Sequence, residues 1–124
     1  MARILLIDDD PMIRATLPLA LADLGHDAVV AGDGKEGLRL LRREGPIDLV
    51  LTDVLMPEAD GLEVVGTVRK EFPRLGVIAI SGGSARLPGR DALQLARYLG
   101  ADLVLAKPFT EEELGQAIDR VLGG

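Results

Sequence analysis

Five short, continuous runs of apolar residues constrain the fold of this chain more than any other feature of its sequence. They are Ile4–Ile7, Ala28–Ala31, Leu49–Leu51, Val77–Ile80 and Leu103–Leu105. None of them alternates apolar with polar residues, which is typical of strands buried on both faces in a parallel sheet. Each gap between two runs holds a segment with helical spacing. We therefore predict repeated βα units rather than hairpins.

The segments between and after the runs carry the start and stop signals of helices. Asp10 before Pro11 and Asp33 before a helical pattern are predicted N-caps, and Thr110–Glu113 forms a capping box. Pro18 lies inside the first of these helices and should bend it. The five predicted helices span about 11–24, 34–43, 62–71, 91–99 and 110–123.

These elements predict a single α/β domain that occupies residues 1–124. The expected architecture is (βα)5, with five parallel strands, helices on both faces of the sheet and right-handed crossovers. In such a sheet the functional crevice lies beyond the carboxyl ends of the strands. The polar residues that follow the five apolar runs are therefore the candidates for a site.

Composition excludes several classes of function. The chain has no Cys and a single histidine, His26, so disulfides, thiolate metal sites and multi-histidine metal sites are excluded. A formal net charge of -6 argues against direct binding of nucleic acid. No apolar run approaches the roughly 20 residues of a membrane span, and no signal peptide is evident. We expect a soluble, cytoplasmic protein.

Six polar residues follow four of the five apolar runs. They are Asp8, Asp9, Asp10, Asp53, Ser81 and Lys107. If these four strands are neighbours, the acids repel one another unless one binds a proton or a cation lies between them. An all-oxygen site of this kind suits Mg²⁺, the usual metal ion of phosphate chemistry. The strand ends therefore predict a magnesium site.

Each residue has an expected role in that site. Asp9 and Asp53 are the expected direct ligands of Mg²⁺, and Asp8 would act at longer range. A carboxylate beside Mg²⁺ can also act as a nucleophile and form an aspartyl phosphate, while Lys107 neutralises the transferred group. The Ser81 hydroxyl can donate a hydrogen bond to a phosphoryl oxygen.

Every one of these residues also has an ordinary structural explanation. Asp10 is expected to act only as a helix cap, and Asp8 and Asp9 could be solvated loop acids. Asp53 and Ser81 could be turn residues, and Lys107 a surface lysine before a helix. The functional interpretation depends on all of them falling at the ends of buried strands.

Four stretches together resemble the receiver domain of response regulators, and the likeness covers nearly the whole chain. They are Ile4–Pro11, Leu49–Pro57 with Asp60-Gly61, Ile80–Gly82 and Ala106–Phe109. The resemblance implies a flavodoxin-like sheet with the strand order 2-1-3-4-5. It also implies that Asp53 accepts a phosphoryl group from a histidine kinase or a phosphotransfer protein.

The resemblance carries further expectations about individual residues. Asp8, Asp9 and Asp53 would hold Mg²⁺ together with the backbone carbonyl of Leu55. Lys107 would contact the phosphoryl group, with a cis bond to Pro108, and Ser81 would be the switching hydroxyl. A downstream protein would bind the face formed by the fourth helix, the fifth strand and the fifth helix, and a phosphorylation-dependent homodimer is a further expectation. Such a domain is a switch rather than a turnover enzyme.

The chain departs from the family pattern at two places. Val104 stands where many members have a switching aromatic ring, and an unusually long Gly- and Pro-containing stretch, residues 82–89, follows Ser81. These departures leave open an interaction-only receiver that serves as a docking or dimerisation platform. A second alternative is a Mg²⁺-dependent phosphatase of the haloacid dehalogenase type, in which Asp8 and Asp10 would form the Asp-x-Asp signature.

Overall fold

The computed structural model describes residues 2–54, 61–81, 94–97 and 99–123. Its five strands are Arg3–Ile7 (β1), Asp27–Ala31 (β2), Leu49–Asp53 (β3), Gly76–Ser81 (β4) and Leu103–Ala106 (β5). All are parallel and form one sheet in the order β2-β1-β3-β4-β5. The predicted fold class and strand order are confirmed.

The helices begin and end close to their predicted positions. Three are Pro11–Asp23 (α1), Gly34–Arg43 (α2) and Gly61–Glu71 (α3), and Glu111–Gly123 forms the C-terminal helix. Residues 94–97 and 99 are also helical, within the predicted fourth helix. The predicted start of that helix, and the stretch 82–89, lie outside the described residues. None of the helices in the described ranges has the length and apolar character that a membrane span requires.

Side-chain caps fix the helix starts that the sequence predicts. The Asp10 carboxylate accepts a hydrogen bond from the Met12 amide at 2.9 Å, and that of Asp33 accepts one from the Glu36 amide at 2.8 Å. Thr110 and Glu113 form the reciprocal bonds of a capping box. These contacts satisfy amide groups that have no partner inside the helix.

The sheet divides the hydrophobic core into two layers. Alternate residues of β1 point to opposite faces, with Leu5 and Ile7 in one layer and Ile4 and Leu6 in the other. α2 and α3 pack on the first layer, and α1 and the C-terminal helix pack on the second. Helices therefore cover both faces, which leaves the two ends of the sheet for function.

The three central strands are more completely buried than the two edge strands. β1, β3 and β4 are almost completely buried, whereas most residues of β2 and β5 are only partly buried. Both faces of β2 and β5 nevertheless pack against the core, with Val29 and Val104 on one layer and Ala28 and Leu103 on the other. These two strands are more exposed because each has a neighbouring strand on one side only.

Candidate functional site at the carboxyl edge of the sheet

The register of the strands brings the predicted polar residues to one edge of the sheet. Ile7 pairs with Thr52, so the following residues, Asp8 and Asp53, lie at the same level. Ser81 pairs with Ala106, the residue before Lys107. Backbone hydrogen bonds continue just beyond the strand ends, as the Lys107 amide donates to the Ser81 carbonyl at 3.0 Å. The sheet therefore positions residues that are far apart in the sequence.

One ammonium group binds two of the acids directly. Lys107 Nζ lies 2.9 Å from Asp53 Oδ2 and 3.2 Å from Asp8 Oδ2. The Asp8 side chain is completely buried and that of Asp53 is 8% exposed, while that of Lys107 is 22% exposed. Charged hydrogen bonds in such a protected place are stronger than those between surface residues. Lys107 thus holds the two carboxylates close together.

Asp9 completes a cluster of three carboxylates. One carboxylate oxygen from each of Asp8, Asp9 and Asp53 lies within 4.8 Å of the other two. Asp9 is more accessible to solvent than the other two acids. Asp10, by contrast, uses its carboxylate to cap α1, as its ordinary structural explanation requires.

The charges in the cluster shift the protonation of its members. Burial raises the pKa of the Asp8 carboxyl above its ordinary value, and the neighbouring Asp53 charge acts in the same direction. Burial lowers the pKa of the Lys107 ammonium, but the hydrogen bonds and negative charges of Asp53 and Asp8 outweigh that effect and raise it overall. Lys107 is therefore positively charged at neutral pH.

The donor set fits a hard divalent cation. With all three acids ionised, one ammonium leaves two negative charges in the cluster uncompensated. A divalent ion would balance them, and Mg²⁺ prefers oxygen ligands of this kind. The fourth expected ligand, the Leu55 carbonyl, lies outside the described residues.

The remaining predicted positions lie on β4 and β5 or directly after β5. Ser81 ends β4 and is 1% exposed. Val104 is partly buried and packs against the core layer that contains α2 and α3. The bond between Lys107 and Pro108 is cis, as the resemblance implies.

Gly61 lies at the site, although the sequence analysis named it only as part of a family motif directly before the third helix. A Cβ atom added there would lie 2.8 Å from the carbonyl carbon of Asp53, and still closer to the Asp53 carbonyl oxygen and to Val54 Cα. Because backbone atoms cannot move aside cheaply, only glycine allows α3 to begin against the backbone of Asp53. A glycine directly before a predicted helix, eight residues after a site acid, was the available signal.

Comparison with known proteins identifies the family. The family model described as "Response regulator receiver domain" matches residues 4–119. The probable transcriptional regulator ycf27 of Porphyridium aerugineum is 39% identical over 122 residues, which are 97% of this chain and 48% of that protein. The transcriptional regulatory protein GlrR of Escherichia coli K12 is also 39% identical, over 98% of this chain and 26% of its own length. The chain spans half or less of the length of these relatives.

Solved structures agree over almost the whole chain. A response regulator receiver domain protein from Clostridium thermocellum has a TM-score of 0.89 at 31% identity and covers 99% of this chain and 95% of its own. The response regulator TrrA from Thermotoga maritima, solved in complex with Mg(2+)-BeF, has a TM-score of 0.85 at 33% identity and covers 98% of this chain and 100% of its own. With its fold, its acidic cluster and its family match, this chain belongs to the receiver domain family of two-component response regulators.

Proposed function

We propose that this chain, as one receiver domain over residues 1–124, is a signalling module controlled by phosphorylation of Asp53. The observation that supports the proposal most strongly is the place of the Asp53 carboxylate. It lies at the end of a central strand, 2.9 Å from the Lys107 ammonium and within 4.8 Å of carboxylate oxygens of Asp8 and Asp9. A nucleophilic oxygen thus faces both an ammonium group and a site for a divalent cation.

The proposed reaction transfers a phosphoryl group from a phosphohistidine to Asp53. One Asp53 oxygen forms a bond to phosphorus while the bond from phosphorus to the histidine nitrogen breaks, and the electron pair of that bond stays on the nitrogen. Asp8, Asp9 and Asp53, with the Leu55 carbonyl, would hold Mg²⁺. Bound there, Mg²⁺ would neutralise charge on the phosphoryl oxygens.

The residues of the chain would do the remaining work. Lys107 is close enough to Asp53 to pair with a phosphoryl oxygen on that side chain, because its ammonium already donates to the carboxylate. The Ser81 hydroxyl would donate to another phosphoryl oxygen. The group is bound and later lost from the same side chain, so the domain acts as a switch and not as a turnover enzyme.

A phosphoryl group on Asp53 would shift the domain between two conformations. The partners proposed for this switch are a histidine kinase or phosphotransfer protein and a downstream protein. The downstream protein would bind the face formed by the fourth helix, β5 and the C-terminal helix, where a phosphorylation-dependent homodimer could also form. The proposal includes no direct contact with nucleic acid. The cytoplasmic location also stays a prediction.

The test is incubation of the chain with a small phosphodonor and Mg²⁺, followed by intact-mass measurement. We expect one phosphoryl group on the wild type and none on Asp53→Asn. Asp10→Asn is a matched control, because asparagine keeps the N-cap of α1 while the same charge is removed from a neighbouring acid. A wild type that gains no mass, or an Asp53→Asn variant that gains as much as the wild type, would overturn the proposal.

An interaction-only receiver is the second candidate, and Val104 is the observation in its favour. This valine packs against the core layer with α2 and α3 and has no ring that could turn inward. That candidate predicts identical partner binding and self-association for the phosphorylated and unphosphorylated chain. The family match decides against the third alternative, a haloacid-dehalogenase-type phosphatase.

A further inference from the structure

Arg14, on the first helix, contacts the backbone that carries the acids. Its Nη1 donates a hydrogen bond to the carbonyl oxygen of Asp8 at 2.9 Å, and the side chain is half-buried. This carbonyl directly precedes Asp9, the most accessible acid of the cluster. The Asp8 carboxylate accepts a bond from the Asp10 amide at 2.9 Å, so the turn after β1 is also held from within.

The guanidinium of Arg14 also packs on the end of β2. A Cβ atom added at Gly32 would lie 3.4 Å from Nη1, 3.6 Å from Cζ and 3.9 Å from Nε of Arg14. Gly32 itself is held in place, because its amide donates to Glu36 Oε1 at 2.8 Å. The planar group therefore lies beside the ends of two neighbouring strands and donates a hydrogen bond to one of them.

Ion pairing does not explain the position of Arg14. Among the residues that the structure describes, no carboxylate oxygen lies within 4.0 Å of its guanidinium nitrogens. A cation placed near a cation site without an ion pair of its own opposes the binding of Mg²⁺ by Coulomb repulsion. The direct contact that Arg14 makes at the cation site is its hydrogen bond to the Asp8 carbonyl.

We propose that Arg14 is a positioning residue for the cation site, an inference that rests on the proposed function. By holding the Asp8 carbonyl against the end of β2, Arg14 fixes the turn from which Asp9 reaches the other two acids. Residues that orient metal ligands in this way commonly change metal affinity by about 10–100-fold when they are removed. The two effects of Arg14 have opposite signs, and a binding experiment can therefore separate them.

The experiment is calorimetric titration of Mg²⁺ alone into the full chain, with no phosphodonor present. Arg14→Met removes the hydrogen bond and the charge together, and we expect about tenfold weaker binding, at the lower end of the range for such residues. Arg43→Met removes the same charge from an exposed position in the last turn of α2 and should leave the affinity within about twofold. Arg14→Lys should recover part of the loss, because its ammonium can still donate to the carbonyl.

Two results would overturn the positioning role alone. One is an Arg14→Met variant that binds Mg²⁺ as tightly as the wild type or more tightly, as charge removal by itself predicts. The other is an Arg14→Lys variant no better than Arg14→Met. If Arg14→Met does not fold, Arg14→Lys serves as the test variant, and we expect it to bind Mg²⁺ more weakly than the wild type. Equal or tighter Mg²⁺ binding by Arg14→Lys would then contradict the inference.

The same titration distinguishes this inference from the proposed function. Absence of saturable Mg²⁺ binding to the wild type would overturn both. Normal Mg²⁺ binding with the expected Arg14 effect, but no phosphoryl group on Asp53, would overturn the proposed function and leave the positioning role intact.

Discussion

Replacement of Gly61 by alanine should separate folding of the domain from its chemistry. The added Cβ would lie 2.8 Å from the Asp53 carbonyl carbon, where an ordinary contact needs 3.4 Å. The start of α3 and the end of β3 must therefore move apart by at least about 0.6 Å, and by more at the carbonyl oxygen. Overpacking of this kind costs about 1–3 kcal/mol of the free energy of unfolding.

The chemical consequence should exceed the structural one. Asp53 carries the proposed nucleophile, and misplacement of a reacting group by about 1 Å can cost about 10²-fold in rate. We therefore expect Gly61→Ala to fold and yet to accept a phosphoryl group from a small phosphodonor about 10- to 100-fold more slowly than the wild type. The assays are urea denaturation for stability and intact-mass time courses for the rate.

Gly66 offers a matched control in the same helix. Gly66 is partly buried, but apart from the neighbouring backbone of its own helix no atom lies within 4 Å of a Cβ added there. A Gly-to-Ala change inside a helix stabilises it by about 0.5–1 kcal/mol where space allows. Gly66→Ala should therefore raise stability slightly and leave the phosphorylation rate unchanged. If Gly61→Ala reacts as fast as the wild type, the close contact between α3 and the Asp53 backbone does not position the nucleophile, and our reasoning about the site is wrong.

Two further predictions concern the charges of the cluster. Lys107→Met should lower the free energy of unfolding by roughly 1–3 kcal/mol in EDTA, because Asp8 and Asp53 lose their common partner. The loss measured by urea denaturation should be smaller at saturating Mg²⁺. Equal losses with and without Mg²⁺ would contradict this. Asp8 has a higher pKa in the folded chain than in the unfolded chain, so its protonation stabilises the fold. This contribution is complete below the pKa of the unfolded chain and is lost as the pH rises through the pKa of the folded chain. Protons therefore compete with Mg²⁺ at Asp8, so Mg²⁺ titrations should show that the affinity already falls on acidification above pH 3.8, the ordinary pKa of an aspartate. The affinity should fall less steeply in Asp8→Asn, which has no carboxyl to protonate at this position.

Much of the site could be predicted from the sequence because of one property of parallel sheets. Their strands all end at the same edge, so locating the apolar runs placed Asp8, Asp53, Ser81 and Lys107 at that edge. The strand order that the resemblance implies then made these strands neighbours. The caps at Asp10 and Asp33 were predictable for a different reason, since they involve residues only two or three positions apart.

Contacts that depend on tertiary packing could not be predicted in this way. The requirement for glycine at residue 61 arises from the approach of α3 to the backbone of β3, and Arg14 acts on a carbonyl through the packing of α1 at the edge of the sheet. Neither contact leaves a periodic pattern in the sequence. The partial exposure of β2 and β5 depends likewise on strand order, which the lengths of the apolar runs do not encode.

The central claim is that Asp8, Asp9 and Asp53 together hold a divalent cation beside the oxygen that accepts the phosphoryl group. A crystal structure of this chain grown with Mg²⁺ and beryllofluoride tests it most directly. Our account predicts Mg²⁺ at about 2.0–2.1 Å from carboxylate oxygens of Asp9 and Asp53, with the beryllofluoride on Asp53 and in contact with Lys107. Beryllofluoride on any other residue, or Mg²⁺ bound away from these acids, would contradict the account.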